Sequence, residues 1–274
     1  MKKAMSLLTA TAMAAVLTGF ILSQRAAFVN SFDRAAFLLP GKERYVSKVF
    51  IGVGHGGSDA GAVGNGLKEK EVNLSIALHL REELQRHGVT VGISRTVDED
   101  DPTSEEVKEC NAFAPEYAVD IHTNAGGGEG FEAYHTLSGG KGKVLAQNIE
   151  AEVIKIGQKS RGLKTRANSA GKDYFGFIRQ TICPAVILEC AFIDSVDAQK
   201  INTEEKRRTF AAAYSKGILK TLGIAYKGEV QTMTTDEAKK IIMDKAGLDA
   251  YTIQFLGAYK YGEDLMVKLA KAMR

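Results

Sequence analysis

The chain has 274 residues, 45% apolar and 25% charged, with 36 Lys plus Arg against 33 Asp plus Glu and a formal net charge of +3. That balance describes a globular protein able to bury one α/β core and a small appendage, and it excludes a disordered or collagen-like chain. So weak a net charge leaves no footprint for nucleic acid, which is not expected as a partner, and does not oppose contact with an anionic polymer.

Met1-Lys2-Lys3 precedes an apolar run from Ala4 to Leu22, so residues 1–45 read as a secretory signal or a single membrane anchor acting through residues 4–22. A second reading treats them as a mis-assigned leader: Gly41-Lys42-Glu43-Arg44-Tyr45 is compatible with a purine-rich ribosome-binding sequence and Val46 with a GTG start. The two readings place the protein differently, at the cell envelope or, for a start near Val46, in the cytoplasm.

Val46 to Val53 is the first strand. Glu69 to Arg86 carries apolar Val72, Ile76, Leu80 and Leu84 at four-residue spacing and stops at Gly88, which predicts an amphipathic helix. Val89 to Ile93 follows as a strand, Glu105 to Ala114 as a helix, then strands at Tyr117 to His122 and Gly130 to Thr136. Lys141 to Gly157 reads as a helix, Tyr174 to Arg179 as a strand, Ala185 to Ala191 as a buried strand and Thr203 to Leu222 as a closing helix. This alternation predicts an α/β fold, a mostly parallel mixed sheet with helices on both faces, over residues 46–226.

A polar connector from Lys227 to Gln231 leads to a small C-terminal helical module, residues 232–274. Thr234-Thr235-Asp236-Glu237 offers a capping box for a helix stopping at Gly247, and Asp249 to Tyr259 and Glu263 to Met273 follow as short helices. Tyr251, Phe255, Tyr259 and Tyr261 at helical spacing read first as the core or docking face of a tiny bundle and second as a wall-binding face. Cys110, Cys183 and Cys190 read as buried free thiols. On one strand Cys183 and Cys190 stand about 20 Å apart, beyond disulfide reach.

Four side chains sit where strand ends or a helix start can aim them at one point: His55 in Gly54-His55-Gly56-Gly57, Glu69 in Leu67-Lys68-Glu69-Lys70, His122 in Asp120-Ile121-His122-Thr123-Asn124, and Glu189 in Val186-Ile187-Leu188-Glu189. Two imidazoles and a carboxylate suit zinc and leave a position open for water, and a spare carboxylate can move protons. Strand C-terminal ends are where ligands collect in open α/β sheets. His79 and His87 are read as solvated, and Arg95 and Arg161 as partners of structural carboxylates.

The run Gly54-His55-Gly56-Gly57-Ser58-Asp59-Ala60-Gly61-Ala62, followed by Gly66-Leu67-Lys68-Glu69-Lys70-Glu71-Val72-Asn73-Leu74, resembles the opening of the zinc-dependent N-acetylmuramoyl-L-alanine amidases of the amidase 3 type. Ser94-Arg95-Thr96, Ile121-His122-Thr123-Asn124-Ala125, Gly130-Phe131-Glu132-Ala133-Tyr134, Arg161-Gly162-Leu163-Lys164 and Pro184-Ala185-Val186-Ile187-Leu188-Glu189 follow in the family's order. Two departures stand out: Gly52-Val53 where relatives often have Asp-Pro, and Asp120 where they have Ser.

The resemblance implies one Zn²⁺ per chain held by His55, Glu69 and His122, with Glu189 as the catalytic proton carrier. Glu69 is preferred to Glu71 because the two lie about 200° apart on a helix, so only one faces the metal. The implied substrate is peptidoglycan, cut between the lactyl group of N-acetylmuramic acid and L-alanine. Asn124 is read as a substrate contact or a turn-forming residue, Arg179 as a partner for a stem-peptide carboxylate, and Asp59 as a partner of a ligating His or a loop closer. A zinc peptidase acting on peptidoglycan peptides and a non-catalytic wall-binding protein are the alternatives.

Overall fold

A computed structural model describes residues 46–228, 235–258 and 262–273. The leader of residues 1–45, with its apolar run at 4–22, lies outside the described residues, as do Thr234 of the expected capping box, Tyr259 and Tyr261. Among the described residues no helix is long and apolar enough to cross a membrane.

The strands are β1 (Lys48–Val53), β2 (Val63–Gly64), β3 (Leu67–Lys68), β4 (Thr90–Ile93), β5 (Tyr117–Asn124), β6 (Phe131–His135), β7 (Ser160–Lys164) and β8 (Ala185–Phe192). Six of them form a sheet in the order β4-β1-β5-β8-β6-β7. All neighbours are parallel except β6 against β8, so the expected mostly parallel mixed sheet is what the chain forms. Helices α1 (Glu69–Arg86), α2 (Thr103–Phe113), α3 (Gly140–Lys155), α4 (Gly176–Gln180) and α5 (Glu204–Leu222) cover it.

The strands' two-residue alternation divides the core between the sheet's faces. Val49, Ile51 and Val53 join Val119, Ile121, Val186 and Leu188 under α1, α3 and α5, while Phe50, Ala118 and Ala185 meet Val107, Cys110 and Phe177 of α2 and α4. The four-spaced Val72, Ile76, Leu80 and Leu84 of α1 are all fully buried, each contributing about 1.5–3 kcal/mol by leaving water.

Several local expectations differ from the outcome. Tyr174 to Arg179 is not a strand: Gly176–Gln180 winds into the one-turn helix α4, which buries Phe177 and Ile178. β2 and β3 form a hairpin turning at Asn65-Gly66, both at positive φ (49° and 75°), a two-residue turn whose dipeptide is the strongest short hairpin signal. Asn65 Nδ2 pins that hairpin to the carbonyls of Ile193 and Ser195.

His79 and His87 are buried rather than solvated. His79 Nε2 meets Glu204 Oε1 at 2.5 Å across α1 and α5, and His87 stacks on Tyr226. Arg95, 2% exposed, pairs with no carboxylate among the described residues; its guanidinium donates to the carbonyls of Val53, Gly54, Lys70 and Val97, tying the exit of β1 to the start of α1. All three cysteines are free, with Cys183 only half-buried and its Sγ 4.0 Å from that of Cys110.

From Val46 onward the chain groups as one compact unit. Within it α6 (Thr235–Ala246), α7 (Ala250–Gly257) and α8 (Gly262–Ala272) share an apolar cluster of their own, built on Ala238, Ile242, Ile253, Met266 and Ala270. Tyr251 and Phe255 are 79% and 56% exposed, so Ile253, and not these aromatics, fills the bundle's interior.

Candidate metal centre

His55 follows β1 in a turn that only a constrained backbone can make: its own φ is +64°, a left-handed conformation that costs a non-glycine residue about 1–2 kcal/mol. Gly54 N–H donates to Ile121 O, Gly56 and Asp59 exchange backbone hydrogen bonds, and Arg95 clamps the carbonyls on either side of the β1 exit. Glu69 is the first residue of α1, where the helix's positive end favours a carboxylate. His122 lies near the end of β5, and β8 places Glu189 directly opposite it in register.

The three elements converge. One atom able to ligate a metal, from each of His55, Glu69 and His122, lies within 4.8 Å of the others. His55 Nε2 is 3.4 Å from Glu69 Oε2 and His122 Nδ1 is 3.1 Å from Glu69 Oε1, close to the roughly 3.3 Å separating two ligands of a tetrahedral Zn²⁺. The outer nitrogens are held as well: His55 Nδ1 donates to Asp59 Oδ2 at 2.8 Å and His122 Nε2 to Asp120 Oδ2 at 3.2 Å. These carboxylate–imidazole pairs fix which nitrogen of each ring faces the cluster, the arrangement metal-ligating histidines use. Asp59 also closes the loop, accepting from Gly61 N–H. Glu71 faces away, 56% exposed and paired with Lys68.

The electrostatics favour a cation. Burial disfavours the charge on Glu69, yet hydrogen bonds from both imidazoles hold its carboxyl well below the usual range, while carboxylate neighbours raise both imidazoles despite burial. Glu189 is different: burial at the strand end pushes its carboxyl up to about 7, with repulsion from Glu69, Asp120 and Glu132 adding to the rise and His122 opposing it. A cleft of about 460 Å³ opens beside the cluster, lined by His55, Asp59, Asp100, Asp101, Glu106 and His122.

Two positions noted in the sequence as departures from the resemblance are neighbours in space. Gly52 and Asp120 are cross-strand partners, and a Cβ on Gly52 would lie 2.8 Å from Asp120 Oδ1. The missing side chain on β1 makes room for the larger carboxylate on β5, which then reaches His122. Asp120 could be found from sequence, since it lies two residues before His122 and so shares its face.

Asn124 is half-buried with both ends of its carboxamide engaged, Nδ2 donating to Glu132 Oε2 and Oδ1 accepting from Ala125 N–H. Arg179 stands on α4, its Nη1 donating to the carbonyls of Asp173 and Tyr174; among the described residues it makes no contact with the cluster. The sequence assigns no role to Glu132 or Lys164 and marks Asp120 only as a departure, yet all three meet a site residue or its partner.

An α/β scaffold presenting two histidines and a glutamate at strand and helix ends, with a further carboxylate alongside, offers a candidate metal site of the kind that hydrolases use. Residues 49–220 match the N-acetylmuramoyl-L-alanine amidase family, and the chain belongs to that family of peptidoglycan hydrolases. It is 38% identical over 176 residues to the sporulation-specific N-acetylmuramoyl-L-alanine amidase of Bacillus subtilis, an alignment covering 62% of this chain and 66% of that one. It is 33% identical over 220 residues to the N-acetylmuramoyl-L-alanine amidase CwlM of Bacillus licheniformis, covering 75% and 84%. Among solved structures it is similar to Cwp6 from Clostridium difficile, at 36% identity and a TM-score of 0.64, over 65% of this chain but only 30% of that one.

Proposed function

We propose that the chain hydrolyses the amide between N-acetylmuramic acid and L-alanine of peptidoglycan, with one Zn²⁺ held by His55, Glu69 and His122 and with Glu189 carrying the proton. The observation supporting it is the convergence of three ligand atoms, each imidazole oriented by its own carboxylate, beside a fourth carboxylate of raised pKa. Zn²⁺ at these ligands supplies Lewis acidity toward the scissile carbonyl and makes water a better proton donor. Glu189, with its carboxyl near 7, is poised at neutral pH to take a proton from water and give it to the departing amine, which leaves only as the neutral species.

The envelope is the place where such a substrate is met, and the apolar run at 4–22 suits export or anchoring there. The C-terminal helices serve targeting or assembly in this reading. Purified protein should carry about one zinc per chain and lose both metal and activity as His55→Ala or His122→Ala. Digested cell wall should yield free glycan and intact stem peptide; shortened peptides would instead identify the zinc peptidase, and no product a wall-binding protein. Full activity after exhaustive chelation would remove zinc from the mechanism.

A further inference from the structure

The row formed by His122 and Glu189 continues one strand further. Glu189 is paired with His122 on one side and with Glu132 of β6 on the other. Directly opposed residues share a face of the sheet, so Glu132 lies about two strand spacings, roughly 10 Å, from His122.

A buried carboxylate beside the half-buried Glu189 needs compensation. Its Oε1 accepts from Arg161 Nε at 2.5 Å and Lys164 Nζ at 2.6 Å, and its Oε2 from Asn124 Nδ2 and Tyr134 Oη at 3.2 Å each. Two cations on one anion leave a surplus positive charge, and it is the cations that reach solvent: the Arg161 and Lys164 side chains are 40% and 32% exposed against 4% for Glu132. Arg161 is anchored from behind through Nε, with its guanidinium carbon 5.1 Å from the centre of the Phe192 ring. Among the described residues neither of its Nη nitrogens has a hydrogen-bond partner. A guanidinium so fixed, with both outer donors open, is prepared for bidentate capture of a carboxylate. Lys164, opposite Tyr134 in register, stands on the same face.

We propose that Arg161 and Lys164, mounted on Glu132, form a carboxylate-binding subsite for an acidic residue of the stem peptide just beyond the scissile alanine amide. The proposal rests on the amidase reading and deepens it. An extended peptide advances about 3.3–3.6 Å per residue, so the carboxylate of the residue after alanine comes within the roughly 10 Å between the His122 and Glu132 strands.

The test compares N-acetylmuramoyl-L-alanyl-D-glutamate with its dicarboxamide as substrates of the full chain. The native protein should favour the diacid by about tenfold or more in kcat/KM, the usual worth of a charge-assisted pair, with the difference mainly in KM. Arg161→Gln should bring that ratio close to one, and Arg161→Lys, which keeps the charge but not the fork, should restore only part of it. Should Arg161→Gln fail to fold, Lys164→Gln leaves the fork in place and should lower the ratio by a smaller factor. Equal rates on the two substrates in the native protein, or an undiminished ratio in a folded Arg161→Gln, overturn the subsite while leaving the amidase intact. Hydrolysis of neither substrate counts against the amidase reading, and the subsite falls with it.

Discussion

Gly54 is where a single methyl group should separate folding from metal binding. A Cβ at this position would lie 2.2 Å from His122 Cε1, 2.4 Å from Nε2 and 2.6 Å from Nδ1, whereas ordinary contact begins at 3.4 Å. The imidazole of Gly54→Ala must therefore retreat by 3.4 − 2.2 Å, about 1.2 Å, several times the roughly 0.2 Å that metal–ligand distances tolerate. Disturbing a ligand's supporting partner costs about 10–100-fold in metal affinity, and displacing the ligand itself should cost more than 100-fold. The backbone bonds at Gly54, its N–H to Ile121 O and its carbonyl from Asn73 Nδ2, do not involve Cβ and should survive. The fold then loses only the 1–3 kcal/mol typical of overpacking, roughly. Zinc content after dialysis, turnover of a muramyl peptide and a thermal melt read the three quantities separately. A Gly54→Ala protein that melts cooperatively, keeps about one zinc and turns over within twofold of native would refute the placement of His122 against the Gly54 turn.

Glu189→Gln should keep its zinc, because three other side chains hold it, while turnover falls at least about 100-fold, the usual worth of a positioned acid/base; near-native turnover would take Glu189 out of the mechanism, and lost zinc would make it a ligand. The His79–Glu204 pair should give a pH-dependent share of stability. Burial lowers the imidazole, but Glu204 and Glu82 outweigh it and raise His79 above 6.5, so that part is complete below 6.5 and fades as pH rises through the folded value; Glu204, drawn from 4.5 down to about 2 chiefly by His79, contributes above 4.5 and loses it toward 2. The melting difference between native and Glu204→Gln should therefore peak between 4.5 and 6.5 at about 1 kcal/mol or less, a few degrees, because the Glu204 side of the pair is exposed; a difference constant from pH 4 to 9 would contradict it. Truncation after Gly228 should leave a folded, zinc-loaded domain active on soluble muramyl peptide but weaker on whole walls, where a second attachment raises effective concentration; aggregation or loss of activity on both substrates would show that the C-terminal helices complete the catalytic domain.

What was legible in the sequence is what depends on neighbours along the chain. The four-spaced apolar face of α1 and the strand runs ending at His55, His122 and Glu189 are local patterns, and so is the 200° that turns Glu71 away from Glu69. Asn65-Gly66 was an equally local signal whose hairpin went unrecognised because its strands are only two residues long. Tyr174 to Arg179 misled because apolar residues on a one-turn helix are too few to reveal their period. The remaining differences have another origin. Glu132 matters because β6 runs antiparallel beside β8 in a sheet that is otherwise parallel, a choice of strand order with no local signature. Arg95 grips four carbonyls, and every peptide offers one, so no residue type marks its partners. His79 is buried only because α5 lays Glu204 across α1. Gly52 and Asp120, 68 positions apart, read as two separate oddities until the β1–β5 register sets them side by side. There the absent side chain and the carboxylate become one feature, and its effect falls on a candidate metal ligand: Asp120 reaches the outer nitrogen of His122 because Gly52 leaves the space.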